Sequence, residues 1–143
     1  MSEIEYRVMT DSDINSVLSF WKNIDGVHLH SNGEETYDAI SRYLLRNPDL
    51  SFVAVCGQEI VGAVMCGHDG RRGYLNHLGV SPEYRRKGIA SKLLDRVEKE
   101  LKKLGIKKEA LFVLCENTSA REFYEHIGWK EENIVKVFAK IIP

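Results

Sequence analysis

Three cationic side chains, Arg85, Arg86 and Lys87, stand directly before Gly88 and a strongly periodic segment. An apolar run at 75–80 and a turn at Ser81-Pro82-Glu83 come before them. After them, Leu93, Leu94, Val97, Leu101 and Leu104 recur at helical spacing and form one apolar stripe. A basic, glycine-bearing loop therefore opens a helix that follows a strand. Helix N-termini leave backbone N–H groups unpaired and carry partial positive charge. With the three cations added, the turn suits a diphosphate.

Spacing separates the possible diphosphate sites. A P-loop requires two glycines and then Gly-Lys-Ser/Thr, but Ile89 and Ala90 follow Gly88. The dinucleotide fingerprint requires three glycines, and Gly88 stands nearly alone. The pattern left is Arg85-x-x-Gly88-x-Ala90; a merely solvated basic turn is its structural alternative. A second informative stretch runs over 117–129. Asn117 and Tyr124 are seven residues apart, two helical turns, and share a face. Ala120 lies between them, and its small side chain leaves room for a long thin ligand.

These stretches together resemble the GNAT acyltransferases, the GCN5-related N-acetyltransferase superfamily. Arg85-x-x-Gly88-x-Ala90 is similar to the family's pyrophosphate loop, and Leu78-Gly79-Val80-Ser81-Pro82-Glu83-Tyr84 to the strand before it. Asn117-x-x-Ala120-x-x-Phe123-Tyr124-x-x-x-Gly128-Trp129 is similar to the family's second motif, with Trp129 where Phe is usual. The run 62–80 and Glu83-Tyr84-Arg85 resemble small bacterial stand-alone members of the YpeA type. The resemblance covers about 52–129 and is weaker over the first fifty residues, which usually shape acceptor choice.

The resemblance implies acetyl transfer from acetyl-CoA to a primary amine by direct attack on the thioester, without a metal. It implies that Leu78, Gly79, Val80, Arg85, Arg86, Lys87, Gly88, Ile89, Ala90, Ser91, Asn117, Ala120 and Tyr124 contact the coenzyme. Acetyl transfer needs a base for the ammonium, a donor for the thioester oxygen and a proton for the leaving thiolate. By the family pattern Tyr124 is the general acid and the Leu78 backbone N–H the oxyanion donor. The base is open: Asn76 or His77 acting through water, or solvent. By strand alternation Tyr74, Asn76, Leu78 and Val80 share one face and His77 points to the other, unless a bulge near Leu78 intervenes. The acceptor would be a small amine or a protein or peptide amine. A coenzyme A-binding sensor or interaction module without turnover is the competing reading.

Other candidates have plainer readings. His28 and His30 could bind a metal or substrate, but nothing completes a metal set, and surface loop histidines explain them. Glu34 and Glu35 open the next helix, where carboxylates suit the macrodipole, though either could face a cationic substrate. His68 ends a strand and is a minor candidate; Arg71 and Arg72 belong to a solvated turn. Cys56, Cys66 and Cys115 sit in apolar runs without metal or CxxC spacing, and are expected as buried free thiols.

With 143 residues, 43% hydrophobic and 29% charged, the chain is expected to be one globular domain over 1–143. A net charge of −1 makes the basic loop a local feature and argues against a nucleic-acid binder. No apolar run is long enough for a membrane, and no signal peptide is evident, so a cytoplasmic protein is expected.

Periodicity then supplies the frame. Strands are expected at 4–9, 51–56, 60–66, 74–80 and 110–115, with helices at about 10–24, 34–46, 88–104 and 117–127. Residues 129–132 and 135–142 read as a closing hairpin whose edge could pair in a homodimer. The order is close to βααββββαβ. The fold class is α/β (α+β), of the GNAT type: a mixed, mostly antiparallel sheet of six to seven strands with helices on both faces.

Overall fold

A computed structural model describes residues 3–27, 29 and 32–143. The elements are β1 (Ile4–Val8), α1 (Ile14–Lys22), α2 (Tyr37–Arg46), β2 (Phe52–Cys56), β3 (Glu59–His68), β4 (Gly73–Val80), α3 (Ile89–Lys103), β5 (Glu109–Leu111) and α4 (Thr118–His126). They belong to two compact units, Met1–Phe112 and Val113–Pro143.

In the first unit one sheet runs in the order β1-β2-β3-β4-β5. The first four strands pair antiparallel, and β5 joins β4 in parallel. The antiparallel meander follows from short turns: Gly57 and Gly70 both take positive φ, at 65° and 95°. The parallel pairing follows from the crossover helix α3.

The two sheet faces are covered differently. On one, α1 and α2 bury Ile14, Val17, Trp21 and Ile40 against Val53, Ala63 and Met65. On the other, α3 buries Ile89, Leu93, Leu94, Val97 and Leu101. Each fully buried aliphatic side chain stabilises the fold by about 1.5–3 kcal/mol. Gly62 on β3 lets α3 come close, since a Cβ there would stand 3.0 Å from Ile89 Cγ2.

α1 is anchored before it begins. The Thr10 N–H donates to Asp13 Oδ2 at 2.8 Å, and Arg7 forks onto both Asp13 oxygens at 2.8 Å. The Arg7 hydrogen bond is the chief cause that holds the Asp13 carboxyl below its usual range. α2 starts at Thr36, whose hydroxyl accepts the Ala39 N–H at 3.2 Å.

Several expectations are corrected. Among the described residues the sheet has five strands, not six to seven, because no strand follows β5. The element order is βααβββαβα. The hairpin at 129–132 and 135–142 is not formed, and Val135, Val137, Phe138, Ile141 and Ile142 are exposed. The alternation itself suits a strand, with Val135, Val137, Ala139 and Ile141 on one side and Lys136 and Lys140 on the other; the segment has no strand partner among the described residues. β5 stops at Leu111 rather than running to 115, because β4 is bulged just beyond the residues that β5 pairs with. Of the three thiols only Cys66 is fully buried; Cys56 is half-buried and Cys115 is exposed in a turn. Burial pushes the Cys66 thiol up to about 12, which leaves it inert.

Candidate active site

The basic loop has the backbone that its sequence demands. Arg86 and Gly88 take left-handed φ values of 63° and 79°. Successive turns of this kind aim main-chain N–H groups into a common hollow. α3 begins at Ile89 with no side chain capping it, so the N–H groups of its first turn keep no helical acceptor. Arg85 folds back, its Nε donating to the Val80 carbonyl at 3.3 Å, while Arg86, Lys87 and Gly88 are exposed. Ile89, 2% exposed, pins the loop to the core.

The strand before the loop is broken in a defined way. Its register against β3 passes from Met65↔Asn76 to Ala63↔Gly79, so His77 and Leu78 together oppose Val64. This is a β-bulge on β4. His77 carries it, with φ +55°, a left-handed conformation that costs a non-glycine residue about 1–3 kcal/mol. On its other side β4 pairs with β5 only over Gly73, Tyr74 and Leu75. From Asn76 to Val80 that edge has no strand partner among the described residues.

The bulge also resets which way side chains point. Before it, Gly73 faces Leu101 of α3. After it, Gly79 faces Ile24 and Val27, at the end of α1. The plain alternation expected for 74–80 therefore does not hold. By alternation from Gly79, Leu78 and Val80 face the α3 side, and they do not share the side of Asn76.

His77 instead turns to the α1 and α2 side. Its ring lies 5.1 Å from that of Trp21, tilted by 58°. Its Nε2 lies 2.9 Å from Glu35 Oε2 and 3.2 Å from Glu35 Oε1, with hydrogen-bond geometry to Oε1. The two side chains are only 14% and 11% exposed. Glu35 Oε2 has no partner besides His77, and Trp21 Nε1 is buried without an acceptor among the described residues. Burial, as the largest cause, also raises the Tyr43 phenol.

The second unit holds the Asn–Ala–Tyr face. The Asn117 side chain caps α4 by accepting the Ala120 N–H at 3.2 Å. Tyr124 packs edge-on to Phe123 at 5.3 Å and against Trp129 at 5.6 Å. Burial pushes its phenol up to about 12, so the hydroxyl is protonated throughout the neutral range. Gly128, at φ 102°, ends the helix.

With this geometry in hand, the chain can be compared with known proteins. The profile of the acetyltransferase (GNAT) family matches residues 17–129. An acetyltransferase of Sodalis glossinidius (strain morsitans) is 35% identical over 137 residues, covering 96% of this chain and 94% of that protein. One of Pectobacterium atrosepticum is 34% identical over 139 residues, covering 97% and 96%. Among solved structures, the PaiA N-acetyltransferase of Thermoplasma acidophilum, in complex with coenzyme A, superposes with a TM-score of 0.81 at 22% identity, covering 93% of both chains.

The chain belongs to the GNAT acetyltransferase family. It is an N-acetyltransferase whose donor is acetyl-CoA.

The residues present fit such a donor. The loop of this acetyltransferase offers unpaired N–H groups and three cations to a diphosphate. Among the described residues no group of His, Cys, Asp or Glu is placed to hold a metal ion. No described helix is long and apolar enough to cross a membrane.

Of the sequence candidates, the structure gathers Asn76, His77, Leu78, Gly79 and Val80 at the bulged end of β4, with 85–91 following in the chain. His68 is not part of that group. It pairs with Gly73 at the opposite end of β4, and its Nδ1 accepts the Gly70 N–H at 3.0 Å, a turn-stabilising role. His28 and His30 lie outside the described residues. Glu35 does not open α2 as expected, since Thr36 caps that helix.

Sequence reasoning missed Glu35 as a partner of His77, and missed Trp21 as the ring beside it. The glycine of Leu78-Gly79-Val80, which often marks a bulge in a strand, was the one local hint. Glu109 presents a contrasting case. Burial first, then Glu98, raises its carboxyl to about 7, a value that suits a base. Yet it pairs with Gly73, away from the bulge, and faces Glu98 on α3.

Proposed function

We propose that this acetyltransferase acts on a primary amine, either a small molecule or a protein or peptide amine, and that its two units serve a single catalytic domain. The family match, which runs across both units, supports the latter. Residues 85–91 bind the diphosphate through main-chain N–H groups, assisted by Arg85, Arg86 and Lys87. By the family's two motifs, Gly79, Val80, Asn117 and Ala120 contact the coenzyme. The Leu78 N–H stabilises the oxygen of the thioester as it becomes an oxyanion. His77 takes the proton of the ammonium, with Asn76 beside it holding water. Tyr124 gives its proton to the departing thiolate; its raised pKa keeps that proton in place until charge develops.

The observation that carries this reading is the bulge at His77 and Leu78, on an edge of β4 without a strand partner among the described residues, seven residues before the basic loop. Thermal unfolding in the presence of acetyl-CoA, coenzyme A or ATP tests the donor, since a ligand of the native state raises Tm. Acetyl-CoA and coenzyme A should raise it and ATP should not. Thiol release with a panel of amines and peptides then tests transfer. Tyr124→Phe should lower kcat by about 10²–10⁴-fold while the Tm response to coenzyme A is kept. A variant with full turnover would remove Tyr124 from the mechanism. A homodimer through 135–142 rests on the exposed apolar side chains of that segment. A monomeric mass by light scattering would exclude it.

A further inference from the structure

We infer that Glu35 is the positioning residue for His77: its carboxylate fixes the imidazole as the Nε2–H tautomer and leaves Nδ1 as the base. The inference rests on the proposed role of His77 and names what makes that histidine competent.

The geometry sets the tautomer. A carboxylate can only accept hydrogen bonds, so the nitrogen 2.9 Å and 3.2 Å from the two Glu35 oxygens must be the one that carries hydrogen. Nδ1 then holds the lone pair, and among the described residues it has no hydrogen-bond partner. The pair is nearly closed off from water, and Trp21 covers a further side of the ring. In such surroundings a fixed charge acts more strongly than in water. The same logic, a carboxylate on one ring nitrogen and proton transfer at the other, governs hydrolytic triads.

The neighbouring carboxylate shows that this placement is specific. Glu34 and Glu35 are adjacent, yet Glu34 is exposed and accepts a hydrogen bond from Asn32 Nδ2 at 2.8 Å. Glu35 reaches across to a strand residue 42 positions away. It does no work for α2, whose cap is the Thr36 hydroxyl.

The steps balance. His77 Nδ1 accepts a proton from the ammonium, and the resulting imidazolium is held against the Glu35 carboxylate. The amine lone pair forms the C–N bond to the thioester carbonyl carbon. As the tetrahedral intermediate collapses, the C–S bond breaks and its electron pair leaves on sulfur. The thiolate takes one proton and the nitrogen loses its second, so one proton is released to solvent for each amide formed.

Two readouts test this on the full-length protein. The first is ¹⁵N NMR of the imidazoles, with the His77 signal assigned by its loss in His77→Gln. The wild type should show a fixed Nε2–H tautomer for His77, and Glu35→Gln a mixed or reversed one, with Glu34→Gln as wild type. The second is steady-state kinetics. His77→Gln should lower kcat by roughly 10²–10⁴-fold, and Glu35→Gln by at least about tenfold within that range. KM for acetyl-CoA should stay unchanged in both, and the double variant should be no slower than His77→Gln. An unfixed tautomer in the wild type overturns the inference. So does a Glu35→Gln variant with full kcat and a raised acceptor KM, which would make Glu35 an ammonium-binding group. Absence of any Tm response to acetyl-CoA would instead strike the parent reading, while the tautomer result would still stand or fall by itself.

Discussion

The two sides of the bulged strand β4 solve different problems with different materials. Toward α3 the groups proposed to bind the diphosphate are main-chain N–H groups in an exposed loop, shaped by left-handed turns at Arg86 and Gly88. Toward α1 and α2 the proposed reacting groups are side chains, almost buried, held by one hydrogen bond and one ring contact. A diphosphate carries its charge permanently and needs only donors and cations, which water does not cancel when they converge. A proton must be taken up and released, and that requires a titratable group whose partner is fixed and whose water is limited. On the proposed reading the loop, assembled from neighbouring residues, binds, and the pair, assembled from residues 42 apart, reacts.

Three changes would break or sharpen that contrast. Of the three, the largest kinetic effect is expected for Gly88→Val, in KM rather than kcat. Open space surrounds the position of a Cβ there, so the penalty comes from φ +79° alone. At about 1–2 kcal/mol for a left-handed L-residue, KM for acetyl-CoA should rise roughly five- to thirtyfold. The His77 tautomer should not change; if it does, the two sides are coupled and the contrast fails.

A smaller kinetic effect, with a clear loss of stability, is expected for Gly67→Ala. A Cβ at Gly67 would stand 2.9 Å from both Tyr43 Oη and Asn47 Nδ2. Asn47 is 4% exposed and ties α2 to β3, its Oδ1 accepting the His68 N–H at 3.2 Å and its Nδ2 donating to the Tyr43 carbonyl at 3.1 Å. Displacing it should cost about 1–3 kcal/mol, read as a lower midpoint in urea. The change in Tm with acetyl-CoA should persist, because the loop lies on the other side of the sheet. Loss of that response would show that α2 supports the loop as well.

Glu109→Gln should affect turnover least. Its folded pKa of about 7 lies above the ordinary value of 4.5, so between those values the native state holds a proton that the unfolded chain has released. The stability contributed by that proton is complete below about pH 4.5 and is lost as pH rises through 7. Tm of the wild type should therefore fall across this window, and Glu109→Gln should flatten the fall while kcat stays within about twofold. A collapse of kcat would mean that a shifted pKa, rather than position, identifies the base.

The helices, the antiparallel meander and the crossover were readable because each is a local pattern. The Leu93, Leu94, Val97, Leu101 stripe has the period of a helix, and all four side chains are buried on α3. Gly105, at φ 77°, follows that helix as its C-terminal glycine should. The closing hairpin was not readable in the same way, because alternation over 135–142 suits a strand but does not supply a partner to pair with it. The parity of β4 was misread because a single extra residue at 77–78 reverses every side chain that follows.

The amino-acid sequence alone determined the basic, glycine-bearing turn that opens α3 and the Asn–Ala–Tyr helix. Each lies within a dozen or so consecutive residues, where spacing and backbone preference dictate geometry. Only the tertiary structure decided which side of the sheet His77 serves and which carboxylate meets it. That choice depends on a bulge in one strand, and on a loop 42 residues earlier that α1 and α2 bring over it. No local preference of Glu35 distinguishes it from Glu34; packing alone turns one inward and leaves the other in water.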